Sequence, residues 1–64
     1  MNHIAIKVES TETVNRLQSF LELKKIPVLY KADYYGPTYY VVYFEDPDRF
    51  KWEVGTNAAI QEKL

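Results

Sequence analysis

Tyr39-Tyr40-Val41-Val42-Tyr43-Phe44-Glu45-Asp46-Pro47-Asp48-Arg49-Phe50-Lys51-Trp52-Glu53-Val54 reads as one β-hairpin. Its first arm is aromatic and β-branched, the residue types that suit a pleated, half-buried surface. Asp46-Pro47-Asp48-Arg49 is the turn. Pro at its second position presets φ for a type I turn, and the Asp46 side chain can bond the backbone ahead of it. The second arm alternates: Phe50, Trp52 and Val54 face one way, Lys51 and Glu53 the other. Glu53 is therefore a mid-strand carboxylate on the face opposite the hydrophobic one.

Outward from the hairpin, Val28 to Tyr34 reads as a strand closed by the Gly36-Pro37 turn. Before it, Val14, Leu17 and Leu21 make one helical stripe flanked by Phe20, and Asn15, Arg16, Gln18, Ser19 and Glu22 are expected to face solvent. Ser10 or Thr11 can cap the helix, Glu12 suits its positive end, and Lys24 and Lys25 suit its negative end. Pro27 stops it. His3 to Val8 is a first strand, with Ile4, Ile6 and Val8 on one side and His3, Ala5 and Lys7 on the other. The fourth strand is expected over Phe50 to Val54 and is ended by Gly55-Thr56-Asn57, leaving at most two helical turns over Ala58 to Leu64. The order is β-α-β-β-β, an α+β fold: one helix on one face of an antiparallel meander, with the first strand reached by a helix crossover. Ile4, Ile6, Leu17, Leu21, Val42, Phe44, Trp52 and Val54 are the expected core, with Trp52 on Leu17 or Leu21.

The chain has 64 residues, and without Cys it can form neither a disulfide framework nor a thiolate metal site. Below about 70–80 residues a single core seldom supplies more than ~3–5 kcal/mol, so small domains lean on disulfides, metals or partners. Here a metal, a partner chain or both remain. Six tyrosines are more than one short helix covers, so both sheet faces are expected to meet something. A net charge of −1 with no basic run excludes a nucleic-acid footprint. No apolar stretch approaches the ~20 residues of a membrane span, and no signal peptide is visible at Met1-Asn2-His3. A soluble, cytoplasmic protein is the expectation.

These residues resemble one module of the vicinal oxygen chelate superfamily, the glyoxalase, bleomycin-resistance and extradiol-dioxygenase group. His3-Ile4-Ala5-Ile6-Lys7-Val8 is similar to the family's first strand, which begins with a metal-ligand His. Phe44-Glu45-Asp46-Pro47-Asp48 followed by Glu53 is similar to the family's Asp-Pro-Asp-Gly-Asn-x-x-Glu, whose Glu is another ligand. Tyr34-Tyr35-Gly36-Pro37 before a Tyr-rich strand is similar to second modules of two-module members. Arg49 and Phe50 replace the usual Gly-Asn, a departure confined to the turn. The resemblance covers His3 to Val54, so residues 1–64 are read as a single module with its core motif over 3–54 and a tail over 55–64. It implies a mixed four-stranded sheet that pairs with a second module, in a homodimer or with another half, into a cup around a divalent metal.

Spacing alone leaves His3 a solvated histidine and Glu53 a surface carboxylate. The resemblance makes them metal ligands, and a nitrogen–oxygen set suits Zn, Ni, Fe or Mn rather than Ca. It also turns Tyr43 to the cup, either to bond a substrate oxygen or to fill a dimer interface. Lys7 and Lys51 share that side and suit an anionic substrate, or equally a solvated strand edge. Turn chemistry accounts for Asp46 and Asp48 without catalysis. Two functions follow. One is a metal-dependent lyase, isomerase or dioxygenase in which Glu53 shuttles a proton for a small oxygen-bearing substrate. The other is a metal-free, bleomycin-resistance-type binding module. A half that needs a different partner chain is a third possibility.

Overall fold

The computed structural model describes residues 3–58. Strands β1 (His3–Lys7), β2 (Val28–Tyr34), β3 (Tyr39–Glu45) and β4 (Lys51–Asn57), with helix α1 (Thr11–Leu23) after β1, follow the expected β-α-β-β-β order. The four strands form one sheet in the order β1-β4-β3-β2. β1 runs parallel to β4, and the other two pairings are antiparallel. Parallel neighbours require a crossover, so everything from α1 to β3 lies between them in the chain.

The hairpin is built by its turn. The Arg49 N–H donates to the Asp46 carbonyl at 2.9 Å, and the Asp46 N–H donates to the Phe50 carbonyl at 3.0 Å. Arg49 has φ 70°. This is a type I turn followed by a left-handed bulge residue. One Asp46 carboxylate oxygen accepts from the Asp48 and Phe50 N–H groups, each at 2.9 Å, and the other from Trp52 Nε1 at 3.0 Å. The Trp52 bond, opposed by partial desolvation and reinforced by the two backbone bonds, holds the Asp46 carboxyl below its ordinary range. Arg49 occupies a conformation that glycine adopts without a Cβ penalty. Arg49→Gly should therefore raise stability by about 1 kcal/mol or less, the gain being trimmed by the freer unfolded chain. Urea titration checks this, and a loss of stability would reveal a compensating partner of the arginine side chain.

Helix α1 begins at Ser10, whose side chain accepts from the Thr13 N–H at 3.2 Å. It ends in a Schellman arrangement: the Lys25 N–H reaches the Glu22 carbonyl and the Ile26 N–H reaches the Leu21 carbonyl. Lys25 takes the left-handed position, φ 59°. Two polar residues expected to face solvent instead tie helix to sheet. Gln18 Oε1 accepts the Ala32 N–H at 2.6 Å, where the β2 register slips between Tyr30 and Asp33. Asn15 Oδ1 accepts the Tyr40 hydroxyl at 2.6 Å.

Val14, Val42 and Val54 form a buried cluster with Leu17, Val28, Ala32 and Phe44 packed against it, and Leu21 is buried as well. Three expected core residues lie elsewhere. Helix α1 packs on β2, β3 and β4 but does not touch β1, so Ile4 and Ile6 remain 36% and 41% exposed. Trp52 is half-buried, stacking on Phe44 with rings 5.9 Å apart and 4° from parallel, and its indole N–H donates to Asp46. Conversely Val41, which lies on the face away from the helix and is not among the expected core residues, is buried, because β3 is an interior strand. Strand β4 also outruns its expected end. Gly55, Thr56 and Asn57 pair with Val41, Tyr40 and Tyr39, since the seven residues of β3 offer partners that far. The helical turns expected over Ala58 to Leu64 fall, from residue 59 onward, outside the described residues. No helix among the described residues is long and apolar enough to cross a membrane.

Candidate functional site

Alternation and register together assemble the site on the sheet face away from α1. In the β1–β4 ladder His3 is the partner of Lys51 and Ala5 of Glu53; in the β3–β4 ladder Tyr43 is the partner of Glu53. Glu53 thus has the small Ala5 on one side, which leaves room for His3 to lean across. His3 Nε2 lies 3.0 Å from Glu53 Oε1, with the histidine side chain 42% exposed and the carboxylate 17%. The other carboxylate oxygen accepts the Tyr39 hydroxyl at 2.8 Å.

Tyr39 reaches Glu53 by lying over Gly55. A Cβ on Gly55 would fall 2.7 Å from both Cζ and the hydroxyl oxygen of Tyr39 and 2.9 Å from the Tyr40 carbonyl oxygen. The Lys7 Nζ sits 5.7 Å from the centroid of the same ring, within cation–π range. Burial, then the hydrogen bond to Glu53 and the charge of that carboxylate, push the Tyr39 hydroxyl up to about 12. Burial and the Glu53 charge likewise raise Tyr43.

Beside this pair lies a cavity of about 450 Å³ lined by His3, Leu29, Tyr30, Tyr35, Tyr43 and Lys51. That volume falls in the ~300–1,000 Å³ range of small-molecule sites. Tyr30 meets Tyr43 edge-on at 5.8 Å, and His3 lies 6.1 Å from Tyr43. Of the residues singled out in the sequence, His3, Glu53, Tyr43 and Lys51 come together, whereas Lys7 joins Tyr39 instead of the cavity. Tyr39, Tyr30, Tyr35 and Leu29 were not foreseen. Tyr39 shares the parity of Tyr43, and a strand glycine marks close approach of another group; that pairing was the available signal. Leu29 and Tyr30 lie where the β2 register shifts, once between Val28 and Tyr30 and again between Tyr30 and Asp33, which alternation does not reveal.

As a metal site the pair fits in part. Two ligands each ~2.0–2.2 Å from one tetrahedral ion stand roughly 3.3–3.6 Å apart, so Nε2 and Oε1, at 3.0 Å, would part by a few tenths of an ångström to share one. Among the described residues no group of three or more His, Cys, Asp or Glu gathers, so one chain offers two protein ligands.

No protein-family model matches the sequence, and no curated protein matches it. Among solved structures, the chain is similar to a "putative glyoxalase" from Bacillus halodurans, at 36% identity and TM-score 0.77 over 88% of this chain and 44% of that one. It is also similar to a glyoxalase/bleomycin resistance protein/dioxygenase from Nocardioides, at 17% identity and TM-score 0.80 over 100% of this chain and 44% of that one. A Legionella pneumophila protein described as an NAD-dependent benzaldehyde dehydrogenase superposes at TM-score 0.73 and 19% identity, over 83% and 46% of the two chains. The last two likenesses show the fold alone. The chain spans less than half the length of these relatives. It is an α+β half module. Its solved neighbours include glyoxalase and glyoxalase/bleomycin resistance/dioxygenase proteins, the group that the hairpin and first strand resemble.

Proposed function

We propose that the chain is a glyoxalase-like, metal-dependent enzyme module that works in the cytoplasm as a homodimer. Two copies would close their open sheet faces into a cup, so that His3 and Glu53 of each supply a four-ligand site. The observation that carries this reading is the 3.0 Å approach of His3 Nε2 to Glu53 Oε1 at the rim of a tyrosine-walled cavity. A bound divalent ion, Zn, Ni, Fe or Mn by the chemistry of the donors, would supply a Lewis acid toward a substrate oxygen. The chain's own residues do the rest. Glu53 takes up and returns the proton that moves during the reaction. Tyr43 donates its hydroxyl to a substrate oxygen, and Lys51 offers an ammonium to an anionic substituent at the cavity wall. Pairing of two modules is supported by the length relation to the solved relatives, of which this chain matches 44%.

A specific observation favours a second reading. The cavity lining of Leu29, Tyr30, Tyr35 and Tyr43 is mostly aromatic and apolar, which suits metal-free binding of a planar ligand, as in a bleomycin-resistance-type module. Native mass spectrometry with and without added Zn²⁺ or Ni²⁺ separates the two. A dimer carrying one ion per two chains is expected. A dimer that takes no metal favours the binding module, and a stable monomer removes the shared cup from both and points to a different partner half.

A further inference from the structure

We infer that Tyr39 is a positioning residue for the Glu53 carboxylate and that Gly55 is the residue that lets it act, an inference that rests on the reading of His3 and Glu53 as metal ligands. A glutamate on a strand face has three side-chain torsions and two equivalent oxygens. It can meet an ion through one oxygen, through both, or swing away. Here one choice is made in advance. The Tyr39 hydroxyl donates to Oε2 at 2.8 Å, which leaves Oε1 as the oxygen turned to His3. A neutral donor holds the carboxylate without cancelling the charge that attracts a cation. Outer-shell donors of this kind set ligand orientation, and their loss typically costs ~10–100-fold in metal affinity.

The tyrosine is itself held. Its Cα lies opposite Asn57, two residues beyond Gly55 on β4, so the ring must lean back across Gly55 to reach Glu53. Gly55 has no left-handed backbone to explain its presence. What it supplies is space, because a methyl group there would collide with the Tyr39 ring and with the Tyr40 carbonyl oxygen. On β1, Lys7 is the register partner of Gly55, and its ammonium lies over the Tyr39 ring. Gly55 on β4 and Lys7 on β1 therefore flank the Tyr39 ring whose hydroxyl meets the carboxylate oxygen.

The test is Zn²⁺ calorimetry on the purified full chain and on Tyr39→Phe and Gly55→Ala. Infrared carboxylate bands are recorded with and without Zn²⁺, because their splitting distinguishes one-oxygen from two-oxygen coordination. Tyr39→Phe should bind Zn²⁺ roughly 10–100-fold more weakly and shift the bands toward two-oxygen coordination, a change that mere loss of packing would not produce. Gly55→Ala keeps every Tyr39 atom but displaces the ring, and should reproduce both effects; it serves if Tyr39→Phe does not fold. Wild-type affinity and unchanged bands in a folded Tyr39→Phe overturn the inference while leaving the metal reading intact. A wild-type chain that takes no Zn²⁺ overturns the metal reading, and this inference with it.

Discussion

Glu53→Gln should leave a folded protein that no longer holds a divalent ion. The amide keeps the shape of the carboxylate and can still accept the Tyr39 hydroxyl, so packing is largely preserved. It loses the charge, and a neutral amide is a poor ligand for a transition metal. The loss of Zn²⁺ affinity should exceed the ~10–100-fold typical of outer-shell changes, as calorimetry would show. The same variant carries a signature in alkali. The Tyr39 hydroxyl stands at about 12 in the folded protein, against about 10 in an unfolded chain. A raised value means that its contribution to stability is fully present below pH 10 and is lost as pH rises through about 12. Removing the Glu53 charge leaves burial and a weaker, neutral hydrogen bond to raise it, so tyrosinate absorption and the alkaline loss of structure should both move to lower pH. An unmoved alkaline titration would show that the hydroxyl is not engaged with Glu53.

Leu21→Ala should unfold the domain. Leu21 is 2% exposed and sits at the C-terminal turn of α1, where its carbonyl also accepts the Ile26 N–H. Truncating a buried leucine costs about 2–5 kcal/mol. At ~0.05–0.15 kcal/mol per residue, a chain of this size has only about 3–10 kcal/mol in total. The helix is the only element covering its face of the sheet among the described residues, so nothing else can close over the hole. Leu21→Met, which conserves volume, should cost less than about 1.5 kcal/mol. Circular dichroism melts distinguish the two. A drop of less than ~5 °C for the alanine variant, about 1 kcal/mol in a domain this small, would mean that the stabilising contacts lie between modules rather than within one.

Elements and site were legible to different depths. The turn at Asp46-Pro47-Asp48-Arg49, the helix from Ser10 and the alternation of β3 and β4 could be read directly, because each depends on residues within a few positions of one another. The placement of His3, Tyr43, Lys51 and Glu53 on one face follows from the same two-residue period. Their chemical meaning did not come from that period; the likeness of the first strand and the hairpin to a known family carried it. Where local rules were extended across elements they failed. Ile4 and Ile6 have the pattern of core residues, yet the helix is too short in reach to cover an edge strand. Gln18 and Asn15 have the pattern of solvent-facing residues, yet the slipped β2 register and the Tyr40 hydroxyl each need an acceptor.

By itself, then, the sequence determined the order of the elements, the turn and the face on which each strand residue lies, since these are set by short-range sterics and periodicity. Only the tertiary structure decided that β1 joins the sheet beside β4, parallel and in a register that sets Ala5 against Glu53. That one non-local pairing brings His3 within 3.0 Å of the carboxylate. The same holds for Tyr39 over Gly55 and for the cavity between His3 and Tyr35. Contacts of this kind join residues far apart in the chain, and their geometry is settled by strand order, register and the space a missing side chain leaves.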